Sequence, residues 1–428
     1  PTPWPPSSVP RRSPRNLPGV SPLTPDASVV DLFCELVAIP SPSGHERAVG
    51  DGIRDWLSGH GVGAEFDDAG ASNGSDAGNL IATVPGAPGA PAYLFVAHMD
   101  TVESGAPAVR PRVEDGLIRS SGDTILGADN KAAVAAVMRL CASAARATDP
   151  ARPTVVAAFT CREEAGRMGV SLLDPALLGS IDCAFCVDGA RPIGTVITRA
   201  LGQTVFGFAI RGRAAHAAAN PEAGVSAIRV AAEIVSALPL GRQSEGGTLS
   251  VAAIAGGGVI DRLAPGALAR LGVDPDADGL TAVTAALAAT ATNSVPDRAV
   301  VRGEVRGYTA AAITATLEEV EATVQRVCDR HGAGYEWIGD RTRMVPPFPA
   351  PGPRAIELVR AAAAAVPGLS LIEEERQATL EANYLAAATD VVAVASGGRD
   401  PHQLAESIPV AELERLEALL RAIVGLTS

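Results

Sequence analysis

Two histidines and five acids, at strand ends, in loops or at a helix start, are the residues of this 428-residue chain best placed to do chemistry. The run Tyr93-Leu-Phe-Val-Ala ends on His98, with Asp100 two places on. Gly127-Ala-Asp129-Asn-Lys opens an alanine-rich helix, so Asp129 stands near a helix N-terminus, where a carboxylate is favoured. The run Thr154–Thr160 leads into Cys161-Arg-Glu163-Glu164, Ile181–Val187 leads into Asp188-Gly, and the late loop Gly398-Arg-Asp-Pro-His402 carries the second histidine. Taken singly, each has a bland reading: a strand finishing in polar residues, a helix N-cap, a solvated acidic loop, a turn, a surface histidine. Their agreement in residue type and strand-end placement points instead to a metal site, because open α/β sheets gather ligands outside the carboxyl ends of their strands.

The set can be counted as chemistry. His98 and His402 offer imidazole nitrogens, while Asp129, Glu164 and Asp188 offer oxygens. With Asp129 bridging, two zinc ions can be built, each with one histidine and one terminal carboxylate, leaving a position for a shared water. Cobalt and manganese are the alternative ions. Glu163 cannot easily ligate beside its neighbour Glu164, which frees it as a general base for that water. Asp100 stands where it would orient and polarise the His98 imidazole.

The elements that must position these residues follow from hydrophobic patterning. Residues 1–25 are rich in Pro, Ser and Arg and are expected to be disordered, with neither the apolar core nor the cleavage pattern of a secretory signal. Order is expected from Asp26, an N-cap candidate for the amphipathic run Val29–Ile39, with a second helix from about Glu46 to Gly59. Apolar runs at 79–84, 92–97, 154–160 and 181–187 alternate with helical stretches, which predicts an α/β domain with a mainly parallel sheet. From about Thr198 the order becomes β-α-β-β-α-β, read as a separate α+β, ferredoxin-like domain at 198–342. The Pro-rich stretch Val345–Pro353 returns the chain to the first domain, which thus comprises 26–197 and 343–428.

Composition removes several function classes. Apolar residues make up 47% and charged residues 19%, as in a globular protein. The net charge of −13 and the lack of a long basic cluster argue against nucleic acid as a partner. No strongly apolar run reaches the ~18 residues that a membrane-spanning helix needs. The six cysteines are scattered through apolar runs, and Cys183-Ala-Phe-Cys186 has no second pair to complete a structural zinc site, so buried free thiols in a reducing, cytoplasmic compartment are expected.

HMDTV, GADNK, CREEAG, CVDGA and PHQLAE, in this order, resemble the co-catalytic zinc peptidases of the peptidase T and glutamate carboxypeptidase / acetylornithine deacetylase family. The resemblance spans about residues 28–425. It implies two divalent metal ions on His98, Asp129, Glu164, Asp188 and His402, with Asp100 and Glu163 in catalytic roles. It further implies that the inserted domain is a lid and dimerisation domain and that the protein is a homodimer. Gly212-Arg-Ala-Ala-His216 resembles the family's lid motif, whose histidine stabilises the oxyanion, often across the dimer. Asn293 falls in a segment like the one that contacts substrate. Arg306 matches the arginine that grips a substrate carboxylate through its guanidinium fork. LVAIPSPSGHE, VDGARPIGTVITRA and GRAAHAAANPEAGVSAI look most like the peptidase T branch, which implies an aminopeptidase acting on short peptides such as tripeptides. An amidohydrolase or carboxypeptidase on the same fold, or a non-catalytic scaffold, are the alternatives. Two departures stand out: residues Gly258–Thr290 are interposed in the lid, and Glu381 replaces the aspartate the family places before Ala-Asn.

Overall fold

A computed structural model describes residues 22–102, 108–149, 151–243, 245–262, 279–339 and 344–426. Its largest feature is an eight-stranded sheet in the spatial order Ala64–Phe66, Leu80–Val84, Thr154–Thr160, Ala92–His98, Cys183–Val187, Asp390–Val394, Thr195–Ala200, Ile372–Arg376. The central pairings, of Ala92–His98 with Thr154–Thr160 and Cys183–Val187, and of Cys183–Val187 with Asp390–Val394, are parallel. Thr195–Ala200 and Ile372–Arg376 also pair in parallel, and antiparallel pairs occur where Leu80–Val84 meets Thr154–Thr160 and where Asp390–Val394 meets Thr195–Ala200. The mainly parallel α/β class expected from the sequence is the class observed.

The central strands are apolar at almost every position because both faces are covered. Tyr93, Phe95 and Ala97 face a core that includes the helices Val29–Val37, Ala128–Arg146 and Val410–Ile423, while Leu94 and Val96 face a second cluster with Phe348, Leu380 and Leu385. Helix Ala128–Arg146 is buried along most of its length, and its alanines let the flanking helices approach closely.

Strand register explains how distant acids reach one rim. His98 pairs with Thr160, so Cys161-Arg-Glu163-Glu164 begins one residue beyond the histidine's rung. Val96 pairs with Cys186, which carries Asp188 to the same level as His98 on the neighbouring strand.

Several local expectations need correction. The cap of the first helix is Ser28, not Asp26: its hydroxyl accepts from the Asp31 N–H at 3.1 Å, and the helix runs Val29–Val37. Order also begins earlier than Asp26, since Leu23 is buried in the core and the Trp56 indole donates to the Thr24 carbonyl at 2.9 Å. The remainder of the proposed tail, 1–21, lies outside the described residues. Strands Thr195–Ala200 and Ile372–Arg376 were not foreseen, nor was a three-stranded sheet of Pro111–Glu114, Leu117–Ser120 and Ser407–Pro409. Ile372-Glu-Glu-Glu-Arg376 has no apolar alternation because it lies at the sheet's edge, with one neighbour, three of its five side chains exposed and none fully buried.

The stretch Leu201–Pro347 forms its own compact unit. Strands Gly202–Arg211, Thr248–Gly256, Arg298–Gly307 and Gly334–Trp337 form an antiparallel sheet, extended by two short strands. Helices Ala227–Ala237 and Ala310–His331 pack on this sheet and on each other, so they share a face. Phe206, Phe208 and Ile210 alternate into its core, and Val205 points outward. Of the interposed stretch 258–290, Val259–Arg262 and Gly279–Ala288 are helical, and 263–278 lies outside the described residues.

Candidate metal centre and active site

His98 ends its strand with a buried ring. Its Nδ1 lies 3.0 Å from the Asp100 carbonyl, an atom that can only accept, so Nδ1 donates. That leaves Nε2 facing Asp129 Oδ1 at 3.2 Å. The coordinating atoms of His98, Asp129 and Glu164 all lie within 4.8 Å of one another. His402 joins them, with Nε2 at 2.9 Å from Glu164 Oε1 and 3.6 Å from Asp129 Oδ2. Four of the five expected ligands therefore converge. Asp188 is buried at the adjoining strand end, and no direct ligand-atom contact joins it to the four among the described residues.

The electrostatics of the cluster call for positive charge. Burial, then Asp129, pushes the Asp188 carboxyl up; burial, together with Asp129 and Asp100, pushes Glu164 up to about 7 against the pull of His98 and His402. Hydrogen bonding to Asp129 leads in raising His402 to about 9. Burial opposes the imidazolium of His98, yet Asp100 and Asp129 hold its pKa well above the ordinary value. An electron pair on Nε2 cannot face Asp129 Oδ1 at this range without a proton or a cation between them. Imidazole nitrogens with carboxylate oxygens are the donor set of a first-row divalent metal, and the residues present fit such an ion.

Asp100 does more than orient His98. Its Oδ1 accepts from the Glu163 N–H at 2.9 Å, and its Oδ2 accepts from the Glu164 N–H at 3.1 Å and from the Ser43 hydroxyl at 2.5 Å. The carboxylate is thus the anchor of the loop that carries both glutamates; the His98 Nδ1 is closer to the Asp100 carbonyl than to its Oδ1, at 3.5 Å. Glu163 is buried, with the Arg167 Nε at 3.1 Å. Burial pushes its carboxyl up to about 8, with Asp188 and Glu381 adding and His98 and Arg167 opposing. A carboxyl with its proton affinity near neutrality is suited to take up and release a proton.

Three supporting groups escaped the sequence reading. Glu46 is fully buried: Oε1 accepts from the Gly44 N–H at 2.8 Å and the Arg162 N–H at 3.0 Å, and Oε2 from the Ser75 hydroxyl. It thereby fixes Arg162, which holds a positive φ of 53° immediately before Glu163. Glu406 accepts from the Gly127 N–H at 2.7 Å and the Asp129 N–H at 3.0 Å, securing the start of the helix that presents Asp129. Lys131 is buried with Nζ at 2.5 Å from the Ile39 carbonyl, and burial pulls its pKa down to about 7. All three lie inside motifs already singled out (SGHE, PHQLAE, GADNK), which was the available signal. Their partners were not legible, because Glu46 and Arg162 are 116 residues apart and Gly127 and Glu406 are 279 apart.

The remaining expected site residues lie in the Leu201–Pro347 unit. His216 is exposed, and its Nδ1 accepts from the Ala218 and Ala219 N–H groups at 3.2 and 3.1 Å. With Nδ1 an acceptor, the neutral ring carries its proton on Nε2. A bridge between His216 and Ser294, and a 2.9 Å bond from the Ala217 N–H to the Asn293 carbonyl, bring His216 and Asn293 side by side. Arg306 is engaged within its own strand: Nε and Nη2 donate to the two Glu304 oxygens at 2.7 and 3.3 Å.

Residues 94–425 match the model of Peptidase family M20/M25/M40. The chain belongs to this family. The Bacillus subtilis protein YqjE, itself uncharacterised, is 28% identical over 398 residues, covering 92% of this chain and 97% of its own length. The crystal structure of the aminopeptidase PepT from Bacillus cereus is 28% identical, with a TM-score of 0.77 and coverage of 92% of this chain and 97% of that one. A tripeptidase structure from Staphylococcus aureus is 25% identical, with a TM-score of 0.77 over 92% and 96% of the two chains. Membership of an M20-type hydrolase family of the peptidase T kind agrees with the resemblance drawn from the motifs.

Proposed function

We propose that this M20 peptidase is a di-metal aminopeptidase that removes the N-terminal residue of short peptides. The observation that carries the reading is the convergence of His98, Asp129 and Glu164 within 4.8 Å, with the buried Glu163 on the same loop. His98, Asp129, Glu164, Asp188 and His402 would hold two divalent ions, most simply zinc. When bound, the ions supply Lewis acidity and bring the pKa of water down to about 7.

Glu163 takes the proton of the attacking water on its carboxyl and delivers it to the leaving amine nitrogen. Asp100 fixes both the His98 ring and the glutamate loop while this happens. The Nε2–H of His216 is the donor for the oxyanion. Asn293 contributes to substrate contact, and Arg306 reaches a carboxylate only by sharing its fork with Glu304. Self-association through the Leu201–Pro347 unit is supported by apolar side chains it leaves in solvent, such as Ile254 at 51% and Leu287 at 57% exposure. Six free cysteines, five of them buried, support a reducing, cytoplasmic setting. None of the described helices is long and apolar enough to cross a membrane.

The test is a panel of free and N-acetylated tripeptides with zinc-, cobalt- or manganese-loaded protein. Release of the first residue from free peptides only is the expected result. Equal cleavage of the acetylated set would replace the aminopeptidase reading with a deacylase or carboxypeptidase. A protein that retains no metal after mild dialysis and cleaves nothing would be a scaffold.

A further inference from the structure

Beside the ligand cluster, the large unit contains a cavity of about 300 Å³ lined by Asp188, Gly189, Arg191, Glu374, Glu375 and Arg376, among others. That volume is at the lower end for small-ligand sites, which run from about 300 Å³ upward. Most of its charges are already matched. Glu374 pairs with Arg191 at 3.3 Å and Glu375 with Arg199 at 3.7 Å, and Asp188 belongs to the proposed metal set. Arg376 is different: it is half-buried and its charge bears on Asp188, but no ion pair or side-chain hydrogen bond engages its guanidinium among the described residues.

Its guanidinium is nonetheless placed with care. Arg376 ends the edge strand Ile372–Arg376 and lies over the backbone of Gly189, where a Cβ would come within 2.7 Å of Nη1. Gly189 also holds a φ of 112°, which side chains other than glycine's rarely allow. The glycine after Asp188 therefore gives the guanidinium room to stand beside the metal-ligand carboxylate. A guanidinium whose hydrogen-bond donors no protein acceptor occupies presents a planar fork to any anion that enters the cavity.

We propose that Arg376 is a specificity-determining residue that binds a substrate carboxylate in this cavity, through two parallel hydrogen bonds from its guanidinium. The proposal rests on the peptidase reading for the substrate class. The carboxylate has two sources, the C-terminus of a short peptide or an acidic side chain, and both present the same planar pair of oxygens.

Binding to metal-loaded Glu163→Gln protein, measured by calorimetry, separates recognition from turnover. The probes are trialanine, trialanine amide and Ala-Ala-Glu amide, each with and without Arg376→Gln or Arg376→Lys. The expected result is that Arg376→Gln weakens trialanine binding by about tenfold or more, as loss of a charge-assisted hydrogen bond predicts. It should leave trialanine amide unchanged, and Arg376→Lys should recover part of the loss. If only Ala-Ala-Glu amide loses affinity, the carboxylate is that of an acidic side chain. Equal weakening of all three probes, a fall in bound metal, or no effect on any probe would overturn the proposal, the first two making Arg376 a residue that merely positions Asp188. Failure of wild-type protein to cleave trialanine, with the charge-dependent binding intact, would instead overturn the aminopeptidase reading and leave the subsite standing.

Discussion

In the large unit the proposed site residues are held from behind, whereas in the small unit they are held by their own neighbours. Asp100 anchors Glu163 and Glu164 across about 60 residues of sequence, and Glu406 anchors Asp129 across 277. His216, by contrast, takes its hydrogen bonds from Ala218 and Ala219, two and three residues on, and its ring is exposed. The proposed metal centre is thus a product of sheet register and buried carboxylates, while the small unit's histidine is a local turn set on an antiparallel frame. Buried anchors make a site stiff and sensitive to any loss behind it; a local turn can be altered without disturbing the fold.

The comparison can be broken at its strongest point by Glu163→Gln. We expect turnover to fall by about 10²–10⁴-fold with bound metal, measured by elemental analysis, unchanged. Retained activity would remove the assigned base. Next in size, His216→Ala should lower kcat by about 10²–10³-fold, as expected for loss of an oxyanion donor. Its melting temperature should stay within error of wild type, and a large drop would show that this histidine is not merely locally held.

The carboxylates behind the large unit's site give a pH signature that the small unit lacks. Glu381 is fully buried, and burial pushes it up to about 7 from an ordinary 4.5. Below about pH 4.5 the carboxyl is protonated in both folded and unfolded chains, so stability is unaffected there. Between about 4.5 and 7 the unfolded chain has released the proton and the folded chain still holds it, so stability falls as pH rises, by about 3 kcal/mol in all. Metal-free protein should therefore lose denaturant resistance from pH 4.5 to 7.5, and Glu381→Gln should flatten that slope. Smallest of the four, Glu406→Gln should weaken metal binding by about 10–100-fold in a chelator competition, since Asp129 loses the charged acceptor that holds its N–H. An unchanged affinity would show that the helix start holds Asp129 without Glu406.

How much could be read in advance depended on how far each residue's partners lay along the chain. Thr154–Thr160 was placed to the residue, because a continuous apolar run between Pro153 and Cys161-Arg-Glu is a buried strand whatever surrounds it. Ser28 displaced Asp26 as the cap because the choice between two good caps depends on where Leu32 and Phe33 must point. Arg306 was legible as an arginine on an alternating strand; its commitment to Glu304, two residues away on the same face, was overlooked although the period of two allows it. Arg376 drew no attention, since an edge strand of Glu-Glu-Glu-Arg carries no apolar pattern.

The sequence by itself determined the donor types, their order and their positions at strand ends, because these depend on local patterning. It also determined the mainly parallel α/β class, since strands apolar on both faces must be covered on both. Only the tertiary structure decided which acids stand next to which. The rung that levels His98 with Thr160 and Asp188, the Glu46 and Glu406 anchors, and the guanidinium over Gly189 all depend on contacts across neighbouring strands or between segments distant in sequence. Such contacts follow from packing a whole core at once, and no local run of residues records them.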